Sequence, residues 1–166
     1  MRYPTLQQSL RINREIAPGA VEKVIDIGAQ RKTDFLMDVY PDKHHHLFEP
    51  VSTYHPDLEK NYQDAGIEYT LHKKALSNVD GMLYLHNTSV DGSGRVTHSH
   101  IKQEREDDLD FLVNIEEIET RRLDSIMSRE SLGDLSYIIK LDVDGVEEKI
   151  IEGGQDVIGG ASFVVI

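Results

Sequence analysis

Lys23-Val24-Ile25-Asp26-Ile27-Gly28-Ala29-Gln30 is the stretch on which the reading of this chain turns. An apolar run broken by one acid and closed by a glycine reads as a strand entering a tight turn and then a helix. In an open parallel sheet, such a turn brings backbone close to a nucleotide-like ligand at the carboxyl end of the strand. Glu49 closes the next expected strand, His45 to Glu49, at close to the roughly 20-residue spacing at which an acid on the second strand accepts hydrogen bonds from ribose hydroxyls.

Working outward, Thr5 to Ile16 reads as an amphipathic helix with Leu6, Leu10 and Ile16 on one side, opened by a Thr5-x-x-Gln8 capping box and closed by Pro18-Gly19. Residues 1–20 form an N-terminal helical segment, and residues 21–166 the domain proper. Thr33 opens a helix carrying Leu36, Met37 and Tyr40, which Pro41 stops. A helix from Pro56 to Ala65 ends at Gly66, and a third strand runs from about Ile67 to His72. Strand, helix, strand, helix, strand is the order of a doubly wound parallel sheet. The middle third breaks it: Gly81 to His86 and Ile115 to Leu123 read as a hairpin insertion. Between them, Asn87 to Leu109 is long enough to be a lid or a partly disordered segment. The pattern then resumes with a short helix at Asp124, a strand from Tyr137 to Leu141, a helix ending at Gly153-Gly154, and a strand from Phe163 to Ile166.

Composition narrows the function. The chain has 166 residues and 39% hydrophobic content, enough for one buried core. Its net charge of −12 argues against a nucleic-acid partner, which requires basic stripes. With no cysteine there is no disulfide framework, thiolate nucleophile or cysteine-bound zinc, which suits a cytoplasmic protein. No stretch near the N-terminus is apolar enough for a membrane span or signal peptide. His44-His45-His46 cannot converge on one ion from a strand, because neighbours point to opposite faces, so no metal is expected there. The first loop has only Gly28 of the three glycines of a dinucleotide fingerprint, which disfavours NAD and FAD. It favours a ligand with a ribose but no pyrophosphate, such as S-adenosylmethionine, whose sulfonium prefers acids nearby.

Five short strings share one register: Asp26-Ile27-Gly28-Ala29, Phe48-Glu49-Pro50, Lys74-Ala75-Leu76-Ser77, Leu123-Asp124-Ser125, and Lys140-Leu141-Asp142-Val143-Asp144-Gly145-x-Glu147. In order and spacing the chain resembles FkbM-type methyltransferases over roughly Val21 to Ile166. The resemblance implies an α/β fold of class I methyltransferase type, Rossmann-like, with a doubly wound, mostly parallel sheet and helices on both faces. It also implies S-adenosylmethionine as cofactor and O-methylation of a sugar, glycan or natural-product hydroxyl. By the same resemblance Asp26, Gly28, Ala29 and Gln30 shape the methionine end of the site, Glu49 and Pro50 the ribose, and Ala75 and Leu76 the adenine edge. Where the family has an asparagine and a second glycine, this chain has Gln30 and Lys32, which places a positive charge beside a sulfonium.

Lys140 and Asp142 fall on one side of their strand near its carboxyl end, where they face a ligand or pair with each other. Asp142 also borders the cofactor. It is the first candidate to orient or deprotonate an acceptor hydroxyl, with Lys140 beside it and His98 and His100 of the long polar segment as second candidates. Two other readings stay open. Asp142-x-Asp144 matches the paired acids of a metal-dependent glycosyltransferase, and the domain could instead be a catalytically degenerate interaction module. Phe163 to Ile166 stops inside an expected strand, so a truncated C-terminal end is expected. Its bare apolar edge would invite a second copy of the chain.

Overall fold

The computed structural model describes residues 3–143 and 145–166. Five parallel strands form its core sheet: β1 (Lys23–Ile27), β2 (His44–Phe48), β3 (Tyr69–His72), β8 (Tyr137–Leu141) and β9 (Phe163–Val165), in the order β3-β2-β1-β8-β9. The chain winds outward from β1 to β3 and later returns to the other side of β1. The strand order therefore reverses between β1 and β8, and ligands bind such sheets in the crevice at that point, outside the carboxyl ends of the strands.

Side-chain alternation divides the core in two. On one face Val24 and Ile138 pack with Leu10, Leu36, Val39 and Tyr40, and Leu47 packs with Leu58, Tyr62 and Ile67. This face is covered by α1 (Leu6–Ile16), α2 (Asp34–Val39) and α3 (His55–Ala65). On the other, Ile25, Ile27, Phe48, Ile139 and Leu141 meet Leu123, Met127, Leu132, Ile150 and Val157. These come from α4 (Leu123–Ile126), α5 (Arg129–Leu132), α6 (Glu147–Gly153) and α7 (Gln155–Gly159) and the turns between them.

Local chemistry explains the helix ends. Thr5 and Gln8 form the reciprocal capping box at the start of α1, and Gly66, in the left-handed region at φ 67°, closes α3. Of the expected apolar side of α1 only Leu10 is buried; Leu6 and Ile16 are exposed. Polar contacts hold the helix instead: Arg14 reaches the Val39 carbonyl and pairs with Asp42 at 2.6 Å, and Gln7 donates to Asp38 at 2.9 Å. The expected end at Gly153-Gly154 is a break between two helices. Gly153 serves packing, since a Cβ there would lie 2.1 Å from the Ser77 carbonyl oxygen.

The middle third is a second sheet. β4 (Ala75–Leu76), β5 (Gly81–Thr88), β6 (His98–Lys102) and β7 (Leu112–Arg121) take the order β4-β7-β5-β6, with β5 antiparallel to both neighbours. The hairpin of β5 and β7 matches the expectation from sequence. The segment between them is neither a bare lid nor structureless, because it supplies β6. Its His-Ser-His-Ile-Lys sequence offers little apolar alternation, and β6 is held by its ladder with β5 and by side-chain hydrogen bonds. The sheet packs on the parallel core through Val51, Tyr54, Ala75, Leu85, Val96 and Ile118. Among the described residues no helix is long and apolar enough to cross a membrane.

Candidate functional site

A cleft, partly open to solvent and with about 80 Å³ of enclosed space, lies where the carboxyl ends of β1, β2 and β8 meet the second sheet. Gly28, Gln30, Glu49, Pro50, Ala75, Leu76 and Asp142, all expected from the sequence, line it. The rest of the wall is largely apolar: Phe48 and Val51 beside Glu49, Leu85 and Ile101 from the second sheet, and Val143, Val146 and Ile150 after β8. Thr97, His98, Ser99 and Ile101, from β6 and the turn before it, complete the wall. Of these only His98 was a candidate from the sequence; no local pattern marks Thr97, Ser99 and Ile101, because only tertiary packing brings their strand to the cleft.

Glu49 sits at the end of β2 with 2% of its surface exposed. Its Oε2 accepts from the Gln30 amide at 2.7 Å and its Oε1 from the Val51 amide at 2.8 Å, while His55 Nε2 donates to its backbone carbonyl at 2.8 Å. The carboxylate thus ties the first loop to the second. Each of its oxygens retains a lone pair for a further donor. Burial pushes its pKa up to about 7, against the opposing pull of the two amides; nearby Asp26 adds to the rise and Lys140 offsets part of it. Gln30 takes the left-handed conformation, at φ 50°, as it presents its amide.

Gly28 has φ 79°, and a Cβ there would lie 2.1 Å from the Asp142 carbonyl oxygen. The glycine therefore serves contact between the loops after β1 and β8, where the sequence pattern suggested close approach of a ligand. The two loops form a ridge, since Gly28, Gln30 and Asp142 also line a second depression with Ala29, Lys32 and Lys140. Lys32 lies on that side, paired with Asp34 at 2.9 Å, and does not line the main cleft.

Asp26 lies beneath this surface. It is fully buried and lines neither depression. Lys140, on the paired position of β8, is 5% exposed and holds its ammonium 3.1 Å from Asp26 Oδ1 while donating to the Gly28 carbonyl at 2.8 Å. Asp142, with its side chain 75% exposed, lies 3.6 Å from the same ammonium. The strand-end ion pair and the ligand-facing role are therefore divided: Lys140 is a buried support, and Asp142 stands at the ridge. His98 is exposed at the rim of the cleft, 3.2 Å from Thr97 Oγ1; His100 does not line it.

His45 turns to the opposite face from His44 and His46, bonded to Tyr62 and the Tyr40 carbonyl. Among the described residues no group of three or more His, Cys, Asp or Glu is placed to hold a metal ion. Asp144, the second acid of the glycosyltransferase reading, lies outside the described residues.

The ridge, the buried acid on β2 and the apolar cleft coincide with the strings that suggested a methyltransferase. A sequence profile of the methyltransferase FkbM domain matches residues 26–166. The chain belongs to the FkbM methyltransferase family. Among solved structures, the methyltransferase FkbM from Methylobacillus flagellatus KT has a similar fold, with a TM-score of 0.51 and 19% sequence identity, over 84% of this chain and 30% of that one. The FkbM-family chain described here thus spans less than a third of that protein, and at this identity the likeness concerns fold alone. No curated protein matches the sequence.

The buried charges make the site testable through stability. Lys140→Met leaves Asp26 buried without its counter-charge and is expected to destabilise the fold by about 3–5 kcal/mol in urea unfolding. Adding Asp26→Asn should recover most of that loss; additive losses in the double variant would refute the coupling. For Glu49 the folded pKa lies above the unfolded value, so its contribution to stability is fully present below about 4.5 and is lost as pH rises through about 7. The wild-type stability profile between pH 4.5 and 8, minus that of Glu49→Gln, should fall by a few kcal/mol, because each tenfold change in proton affinity is worth about 1.4 kcal/mol. Parallel profiles would remove Glu49 as the source.

Proposed function

We propose that this domain binds S-adenosylmethionine in the cleft and transfers its methyl group to a hydroxyl of a small or glycan-like acceptor. The observation that carries the reading is Glu49: a buried carboxylate at the end of the second strand, held by two loop amides and facing a cleft whose wall is largely apolar. Family membership supports the same reading. The donor set fits such a cofactor. Glu49 would accept the ribose hydroxyls, Phe48, Ala75, Leu76 and Val146 would enclose the adenine, and Gly28, Gln30 and Asp142 would border the methionine end, with Ala29 behind them on the other side of the ridge. Nothing in this set resembles a diphosphate site, since the loop amide of Gln30 is already taken by Glu49.

The cofactor, when bound, supplies an electrophilic methyl group on a sulfonium. The residues of the chain orient, exclude water and take up a proton. Methyl transfer to oxygen needs the acceptor held in line, and an ordinary hydroxyl must lose its proton. Asp142, exposed on the ridge and flanked by Lys140, is the carboxylate available to orient or deprotonate it. Ribose hydroxyls donate to an ionised Glu49 better than to a protonated one, and a cationic sulfonium favours the same state. Binding near neutral pH therefore releases a proton.

Calorimetric titration with S-adenosylhomocysteine tests the reading. Binding is expected to tighten from pH 6 to pH 8, with an enthalpy that varies with the ionisation enthalpy of the buffer. Glu49→Gln should weaken it by about 1–3 kcal/mol and abolish the buffer dependence. No binding at any pH overturns the cofactor reading. With methyl-labelled S-adenosylmethionine and a panel of sugars and secondary alcohols, Asp142→Asn should lower turnover about a hundredfold and weaken S-adenosylhomocysteine binding far less. Loss of affinity in place of turnover would reassign Asp142 to cofactor binding.

A further inference from the structure

A further depression, largely polar, shares Thr97 with the cleft and no residue with the ridge. It lies between the first loop, the start of α3 and the turn from β5 to β6, with Arg31, Asp57, Asp91, Ser93, Arg95 and Thr97 in its wall. Two guanidinium groups in one wall stand out in a chain of net charge −12. Tyr54 brings them together. Its ring carries the Arg31 guanidinium at 4.4 Å, and its hydroxyl donates at 2.9 Å to the carbonyl of Val96, the residue after Arg95. One side chain thus ties together the two segments that carry the arginines.

Hydrogen bonding decides what these groups have left to offer. Arg31 spends its Nε on Asp57 Oδ2 at 3.2 Å, and neither of its terminal nitrogens has a partner among the described residues. Arg95 is exposed; its backbone amide donates to Ser93 Oγ at 3.2 Å, and its guanidinium has no partner among the described residues. The two acids are engaged. Asp57 answers Arg31, and Asp91 Oδ1 accepts from the Ser89 hydroxyl at 3.1 Å and the Ser93 amide at 3.0 Å within its own turn. A guanidinium only donates, in a planar fork that matches the paired oxygens of a carboxylate or phosphate. Arg31, stacked on a ring and anchored at Nε, has little freedom left to lose on binding. A carboxylate has further lone pairs, so Asp91 can also accept from a hydroxyl of the same ligand. A neutral ligand would leave both cationic forks without a counter-charge.

We propose that Arg31 and Arg95 form an oxyanion site beside the cleft, and that the acceptor is a hydroxylated molecule carrying a carboxylate or a phosphate. The acceptor role rests on the methyl-transfer reading above; the oxyanion site stands on the two arginines.

Calorimetric titration with glucose, glucuronate and glucose 6-phosphate tests this, because the three share a hydroxylated ring and differ in the charged group. At least one anionic sugar is expected to bind about tenfold or more tightly than glucose, and the tighter of the two tells carboxylate from phosphate. Its affinity should fall as salt rises. Arg95→Ala and Arg31→Gln should each weaken it about tenfold. Arg105→Gln removes a positive charge outside the depression and should leave it within about twofold. An equal loss in Arg105→Gln would show net charge alone at work and overturn the site, as would glucose binding as tightly as both anions. Replacing Arg95 breaks no described side-chain contact, so unfolding does not account for a loss of binding in that variant. Saturating S-adenosylhomocysteine should leave the anion affinity nearly unchanged; mutual exclusion would put the anion in the cleft and overturn the acceptor role. Anion binding by a protein that takes up no S-adenosylhomocysteine would overturn the cofactor reading and leave the oxyanion site standing.

Discussion

The buried pair of Asp26 and Lys140 is the constraint on which the site depends. Two charges are placed at matched positions of adjacent strands, almost out of water, with the ammonium 3.1 Å from the carboxylate. Neither Asp26 oxygen accepts a hydrogen bond, so the attraction is purely coulombic and does not fully offset the desolvation of both groups. What the pair provides is position. Through its bond to the Gly28 carbonyl, Lys140 pins the first loop, and the same loop presents the Gln30 amide to Glu49. One cation on β8 thus sets the geometry of an acid on β2, two strands away.

Much of this arrangement was legible in the residues. The largely apolar runs of β1 and β8 name strands buried on both faces, and the capping box of α1 and the glycine after α3 mark real helix ends. Glu49 was legible because spacing along a doubly wound chain maps onto position at the sheet edge. Other parts were not, for reasons that lie in tertiary contact. Lys140 and Asp142 share a side of their strand, yet one is roofed by neighbouring backbone and the other emerges, a difference no alternation pattern contains. Gly28 lines the cleft and also serves a loop-to-loop contact that the sequence pattern did not contain. β6 was hidden because its inward groups are Ser99 and a single isoleucine, and the interaction that fixes Ser99 is a buried amide rather than an apolar stripe.

The two sheets contribute different chemistry. The parallel sheet supplies backbone amides, the buried carboxylate of Glu49 that they hold, and a ridge that Asp142 shares with Gly28. The antiparallel sheet supplies an apolar wall and, in Ser99, a hydroxyl bonded to Asn87. Both sets lie within residues 26–166, which match the FkbM methyltransferase domain.

The placement of β8 beside β1 also dictates when the site can exist. The bond from Lys140 to the Gly28 carbonyl closes a loop of 112 residues, and contacts of that sequence separation form late and slowly. On a growing chain, β1, β2 and their helices emerge long before their electrostatic partner. The cleft as described therefore exists only once β8 stands beside β1 and brings Asp26 its counter-charge.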